Sequence, residues 1–327
     1  MNPQNDPSSP PEPQQQTTGE SIGASPSAAD TAAHPQPSEV GTRLATTGIG
    51  LPGDPIDLAA RTPAAWPRKS PLPADLQIFW SWLHLVAFAA FGVLSFAVVQ
   101  IGLLLYYVPP NRLRNEAEIE RIVLSKPMLA VGTMVIWYAL LFLFLYVTLA
   151  VFHNAPFWRS LGWRKLGWKD NRWPKNPWLY LGSGCVLSVL VFAATAKMQP
   201  PENVPIEELF KYKNTAMMFM AMAVLVAPLV EETVFRGYLY PLFAKSLGVA
   251  TSIVITGILF GLMHGAQLGW TWGLVTVLVV VGIVFTFVRA RTGSVFASFL
   301  LHLGYNSMIT VLTVLSTEGF SKIPSAH

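Results

Sequence analysis

The chain has 327 residues, 52% of them hydrophobic and only 12% charged, about half the charged share of a typical soluble domain. Its net charge of +4 comes without a dense Lys/Arg cluster interleaved with polar residues, which argues against a nucleic-acid partner and for basic loops beside anionic lipid. The single cysteine, Cys185, excludes an intrachain disulfide and a multi-cysteine metal site.

Residues 1–74 hold 14 of the 26 prolines, with many Ser, Gln and Ala and no apolar periodicity. Such a segment buries too little surface to offset its ordering entropy, so a disordered N-terminal tail is expected. The tail lacks the basic-then-apolar order of a secretory signal. "MNPQND" is not a myristoylation pattern and the terminal "PSAH" is not a prenylation box, so none of these is expected. Apolar stretches long enough to span a bilayer, about 20 residues each, follow at 79–107, 127–152, 177–198, 215–246, 249–267, 271–289 and 294–316. No strand alternation competes with them, and backbone groups in lipid are satisfied within helices. The expected fold is all-α: a polytopic transmembrane bundle of about seven helices. Residues 75–204 would carry the first helices and the basic loop, 205–316 a helical core, and 317–327 a C-terminal tail.

Between the second and third helices, residues 153–176 ("HNAPFWRSLGWRKLGWKDNRWPKN") are basic and rich in Trp, a composition suited to the lipid headgroup region. Orientation follows from Lys and Arg. With the N-terminus inside, the inner side holds Arg61, Arg68, Lys69, six residues of this loop, Lys245, Arg289 and Arg291. The outer side holds Arg112, Arg114, Arg121, Lys126, Lys197, Lys211, Lys213 and Lys322. The excess favours an inside N-terminus.

The fourth stretch contains three charges in six residues, Glu231, Glu232 and Arg236, where each charge costs about 2.5–3.5 kcal/mol on insertion scales. Later helices carry His264 in "FGLMHG" and His302 with Asn306 in "LHLGYNS". Glu232 and Arg236 are four apart and share a helix face, so they can neutralise one another, which leaves Glu231 turned by about 100° toward another neighbour. Phe260 lies one turn before His264 on its face. Glu231 stands 16 residues before Leu247 and His264 16 residues after Gly248. If the two helices form an antiparallel pair, both residues lie about 24 Å from the turn and at equal depth. His302 and Asn306 climb from the same side. Pro228 and Pro241 are expected to kink the fourth helix, Pro228 freeing the carbonyl of Val224.

A carboxylate and a neutral imidazole can share one water and make it nucleophilic, while a second imidazole and an amide can donate to a developing oxyanion. That inventory suits hydrolysis of an acyl bond without a covalent intermediate. Zinc held by Glu231, His264 and His302 is the alternative these residue types leave open, although no HExxH helix is present.

"EETVFR" resembles the EExxxR motif, "FGLMH" the FxxxH motif and "HLGYN" the HxxxN motif of the CAAX protease and bacteriocin-processing (Abi) family of intramembrane proteases, which includes the Ras-converting prenyl endopeptidase. The resemblance covers about 205–312, with all three motifs in order. It implies that Glu231 and His264 activate the water, that His302 and Asn306 form the oxyanion site, and that Glu232 and Arg236 support the helix. It also implies a glutamate- or metal-dependent endopeptidase acting on a membrane-associated or lipid-embedded peptide or protein, with lipid as the other partner. A multi-pass protein of a bacterial inner membrane is the expected setting. Two other classes compete: a proton-coupled transporter, because intramembrane Glu and His occur in proton relays, and a non-catalytic scaffold in which the polar cluster only joins helices.

Overall fold

The computed structural model describes residues 72–108, 126–196 and 213–316, with positions 122, 198 and 318. The expected disordered tail, all but its last three residues, lies outside the described residues. So do all but one residue of the C-terminal tail and Arg112, Arg114, Arg121, Lys197, Lys211 and Lys322 of the outer charge count.

Among the described residues there are helices and no strands. Helix α1 spans Trp82–Tyr107; its N-cap Ser81 shares a hydrogen bond with Nδ1 of His84, three residues on. α2 runs Pro127–Tyr146 and passes into a π-helical end, Val147–Phe152. α3, Pro177–Thr195, starts with Asn176 capping the N–H of Trp178 and with proline in the first turn, where its missing donor costs nothing. α4 is the composite run Lys213–Leu247. α5 is Val249–Met263, α6 Trp272–Thr292 and α7 Val295–Ser316. Six of these are long and apolar enough to cross a membrane, and α5 is a shorter apolar helix. The sequence reading carries this helix to residue 267. It ends at Met263 because the N–H groups of His264 and Gly265 turn back to Gly261 and Leu262, and Gly269 and Trp270 take left-handed backbone angles. Its 15 residues span about 22 Å, short of the roughly 30 Å hydrocarbon layer.

Lipid-exposed and interior helices differ in burial. α1 leaves Leu83, Val86, Val93 and Val98 exposed, as a helix apolar on all sides does when one flank faces acyl chains. The middle of α4 is buried at every position from 232 to 244 except the half-buried Val234, with Glu232 and Arg236 included. Within α4 the helix breaks at Val226. It restarts at Ala227–Glu231 with Pro228 in the first turn, opens into a π-helix over Glu232–Leu239, and tightens again at Tyr240–Leu247 with Pro241 near its start. Proline removes an N–H and clashes with the carbonyl four residues earlier, so the wider turn before Pro241 is a physical accommodation. Both expected disturbances of this helix are present.

The 153–176 loop closes over the helix ends. It forms one helical turn, Phe157–Ser160, and buries Leu161. The carbonyl of Gly162 accepts from the N–H of Val295, and Trp163 Nε1 donates to Thr233 on α4 at 3.2 Å. Arg61, Arg68 and Lys69 of the inner charge count lie outside the described residues, but three others of that count meet at this same end: Lys245 Nζ donates to the carbonyl of Ile78, and Lys169 and Arg289 both pair with Asp75.

α3 and α7 cross at Gly184 and Gly304. A Cβ on Gly184 would collide with the Leu301 carbonyl, and one on Gly304 with the Leu181 carbonyl. Small residues let helices approach closely in lipid. Gly304→Val is therefore expected to push α7 off α3, lower stability by about 1–3 kcal/mol and displace His302. Thermal unfolding in detergent together with a peptide-cleavage assay checks this; unchanged unfolding would contradict it.

Candidate active site

Glu231 closes the short segment that follows the break in α4, and Glu232 opens the π-helix. The two neighbouring carboxylates point to different partners, as their 100° offset requires. Glu232 is fully buried. Its Oε1 accepts from Nη1 of Arg236 at 2.8 Å, so the expected pairing of these two residues is present. The same oxygen lies 3.0 Å from Nδ1 of His302 on α7. A carboxylate already bound to a guanidinium acts as an acceptor, so Nδ1 of His302 carries the hydrogen and donates it. Glu232 thus orients His302 as well as neutralising Arg236. Seventy residues separate the two, and their contact depends on how α7 rotates about its axis.

Arg236 spends its other donors on α6. Nη2 donates to the carbonyl of Gly282 at 3.0 Å, and Nε lies 3.3 Å from Oγ1 of Thr286. Its guanidinium sits 4.4 Å from the ring centre of Phe260 and 5.2 Å from that of Phe285. These aromatic faces favour a buried cation. Phe260 therefore supports the site twice: its ring packs on Arg236, and its carbonyl lies 2.8 Å from Nδ1 of His264. The carbonyl is only an acceptor, so Nδ1 of His264 carries the hydrogen and Nε2 of the neutral ring is left with a lone pair. Phe285 also packs against His302, with ring centres 4.7 Å apart. Gly282, Phe285 and Thr286 escaped the sequence reading because α6 has no charged residue at that level to draw attention to them.

The two imidazoles converge on Glu231. Nε2 of His264 lies 4.0 Å and Nε2 of His302 3.8 Å from the same oxygen, Oε2. Equal distance from the 247–248 turn correctly anticipates the level of Glu231 and His264. All three side chains, with Asn306, line one cavity of about 420 Å³. Its walls are mainly apolar, from Met134, Val191, Phe219, Met220 and Ile309 among others. Tyr138 of α2 also lines it and stands within electrostatic reach of Glu231. Asn306 uses Nδ2 to hold the carbonyl of Ala223 at 2.8 Å, next to the break in α4. This is one residue before the carbonyl that Pro228 was expected to free. One of its two amide hydrogens is therefore engaged in the scaffold.

The donor set suits a metal, since each imidazole has its Nδ1 fixed by an acceptor as metal-binding histidines do. The spacing suits one less. Tetrahedral zinc with bonds of about 2.0–2.1 Å holds ligand atoms about 3.3–3.5 Å apart, and the separations here are wider. No group of three or more His, Cys, Asp or Glu among the described residues is arranged to hold a metal. A water is accommodated more readily: at about 2.8 Å it reaches two acceptors this far apart.

Fold and site together define a multi-pass integral membrane protein with a carboxylate and two imidazoles gathered between its helices. Comparison with known families adds a likeness over part of the chain: residues 213–308 match the family "Type II CAAX prenyl endopeptidase Rce1-like", in agreement with the resemblance to the CAAX protease and bacteriocin-processing family. The matched segment contains all three motifs and supports a membrane-embedded endopeptidase. No curated protein and no solved structure gives a match.

Proposed function

We propose that the protein hydrolyses a peptide bond with a water activated by Glu231 and His264. The observation that carries this reading is the convergence of His264 Nε2 and His302 Nε2 on Glu231 Oε2 at 4.0 and 3.8 Å, each ring oriented through its Nδ1. In this mechanism a water sits between Glu231 and His264. One of its hydrogens points at the lone pair of His264 Nε2, and Glu231 removes the other as the oxygen attacks the scissile carbonyl. The proton on Glu231 then passes to the leaving amine, which restores the carboxylate. His302 donates to the oxyanion in its doubly protonated form, since Nδ1–H is committed to Glu232 and only a second proton makes Nε2 a donor. The free amide hydrogen of Asn306 is the second oxyanion donor.

The apolar walls of the cavity fit a lipid-embedded or lipid-modified peptide, and the family match makes a prenylated C-terminal peptide the first probe to try. A bacterial inner membrane is the proposed setting. Comparing the membrane proteome and released peptides of cells carrying wild type or Glu231→Ala tests the assignment. Substrates should accumulate uncut in the variant, and identical peptide profiles would contradict it. A transporter predicts proton or solute flux in liposomes, and a scaffold predicts that Asn306→Ala is tolerated better than it would be in an enzyme.

A zinc-dependent form of the same protease is the second reading, favoured by the fixed Nδ1 atoms of both histidines. Glu231, His264 and His302 would hold the ion, which would polarise the scissile carbonyl and acidify a water. For the metal-free mechanism, prolonged dialysis against a chelator is expected to leave the cleavage rate unchanged. Loss of activity restored by zinc alone would establish the second reading.

A further inference from the structure

The end of the bundle near the 247–248 turn, remote from the cavity, holds a second cluster of charges. Asp75, in the short 3-10 turn Ala74–Leu76, is buried and shared between two cations. Lys169 Nζ lies 3.1 Å from its Oδ1, and Arg289 Nη1 lies 3.1 Å from its Oδ2. Beside it is a recess of about 200 Å³, several times the roughly 30 Å³ that a water occupies, lined in part by Asp75, Arg159, Ser160 and Arg164.

The charges at this recess do not balance. The buried Nε of Arg164, in the recess wall, has no hydrogen-bond partner; Nε and Nη2 of Arg289, which is fully buried and not part of that wall, have none either. Arg159 is exposed and has no ion-pair partner among the described residues. Burial lowers the pKa of Arg164, and the charges of Arg289 and Arg159 push it the same way, while Asp75 opposes them with the smallest effect. Arg159 and Arg164 thus line the recess beside one carboxylate, Asp75, whose Oδ2 already accepts from Lys169 and Arg289 and whose Oδ1 has no hydrogen-bond partner. Unpaired buried donors and crowded like charges are both costly, and an anion relieves both. The guanidinium of Arg164 is held 3.8 Å over the Trp168 ring, so its fork is oriented in advance.

We propose that this recess binds a phosphate group, with Arg159 and Arg164 as its charged ligands and Ser160 as a neutral donor. Guanidinium forks match the geometry of phosphate oxygens. The Trp-rich loop that forms one wall belongs at headgroup depth, where anionic phospholipids supply this chemistry and water can supply the free ion.

The test is thermal unfolding of the purified full chain in detergent, with added phosphatidylglycerol, phosphatidylcholine or inorganic phosphate. Wild type is compared with an Arg159→Gln/Arg164→Gln double variant and with Arg172→Gln, which removes an exposed charge of the same loop that pairs with Asp170. The expected result is a rise in Tm of about 2–4 °C with phosphatidylglycerol in wild type and Arg172→Gln, absent in the double variant and with phosphatidylcholine. A rise with phosphatidylglycerol but not with inorganic phosphate assigns the site to a lipid headgroup. An equal rise with inorganic phosphate, also lost in the double variant, assigns it to the free ion. No rise with any probe, or the same rise in all three proteins, overturns the proposal. The unfolding temperature without probe shows whether the double variant is folded. If it is not, native mass spectrometry of the single variant Arg159→Gln, whose side chain is exposed, reads the same outcomes as retained or lost phosphatidylglycerol.

Discussion

Replacing Glu231 by Gln is expected to slow peptide hydrolysis by about 10²–10⁴-fold, the usual contribution of a positioned general base, and to leave the fold intact. The separation of these two effects comes from its surroundings. Its ion contacts, at 3.8 and 4.0 Å, are longer than hydrogen bonds, and its side chain keeps some contact with the cavity. Glutamine has the same shape and removes only the basic oxygen. The measurement is the initial rate of cleavage by purified protein in lipid nanodiscs, with the unfolding temperature recorded beside it. A variant that cleaves at the wild-type rate would remove Glu231 from the chemistry. One that unfolds far below wild type would mean the carboxylate serves the scaffold instead.

Glu232→Gln is expected to behave differently, and the contrast between the adjacent residues is the sharper test. Glu232 binds Arg236 and His302 through one oxygen in a fully buried setting. Its loss leaves Arg236 as an uncompensated buried cation, a change that typically costs about 3–5 kcal/mol. It also replaces the charged acceptor that fixes the His302 ring by a weaker, neutral amide oxygen. Glu232→Gln should therefore lose stability and activity together. Adding Arg236→Met removes the stranded charge and should return part of the stability, because apolar replacement of a buried pair is often tolerated. Activity should stay low, since His302 still lacks its carboxylate. A double-mutant cycle on unfolding free energy checks the coupling. Simple additivity of the two changes would contradict a direct pair, and recovery of activity in the double variant would contradict the link between Glu232 and His302.

Much of this site could be read before any coordinates. Glu231 and His264 could be matched because a rise of about 1.5 Å per residue turns sequence distance from Gly248 into depth. Glu232 and Arg236 could be paired because residues four apart share a face. Both arguments use only the geometry of a helix along its axis. What was hidden depends on rotation about that axis. Helices apolar on all sides give no sign of which flank meets lipid, so the contact of His302 with Glu232 and the docking of Arg236 on Gly282 and Thr286 were not legible. The early end of α5 at Met263 was missed because "HGAQLGW" remains apolar enough to continue a span, although its glycines favour a turn. The link from Asp75 to Arg289 crosses 214 residues and had no sequence signal beyond the rarity of a buried aspartate.

The central claim is that Glu231 and His264 deliver a water directly to the scissile carbonyl. Single-turnover cleavage of a membrane-embedded peptide in water enriched in heavy oxygen tests it most directly, with mass spectrometry of both the product and the protein. The expected result is one heavy oxygen in the new carboxyl terminus of the product and none in the Glu231 side chain. Heavy oxygen appearing in Glu231 would mark an acyl-enzyme formed on that carboxylate and would contradict direct attack by water.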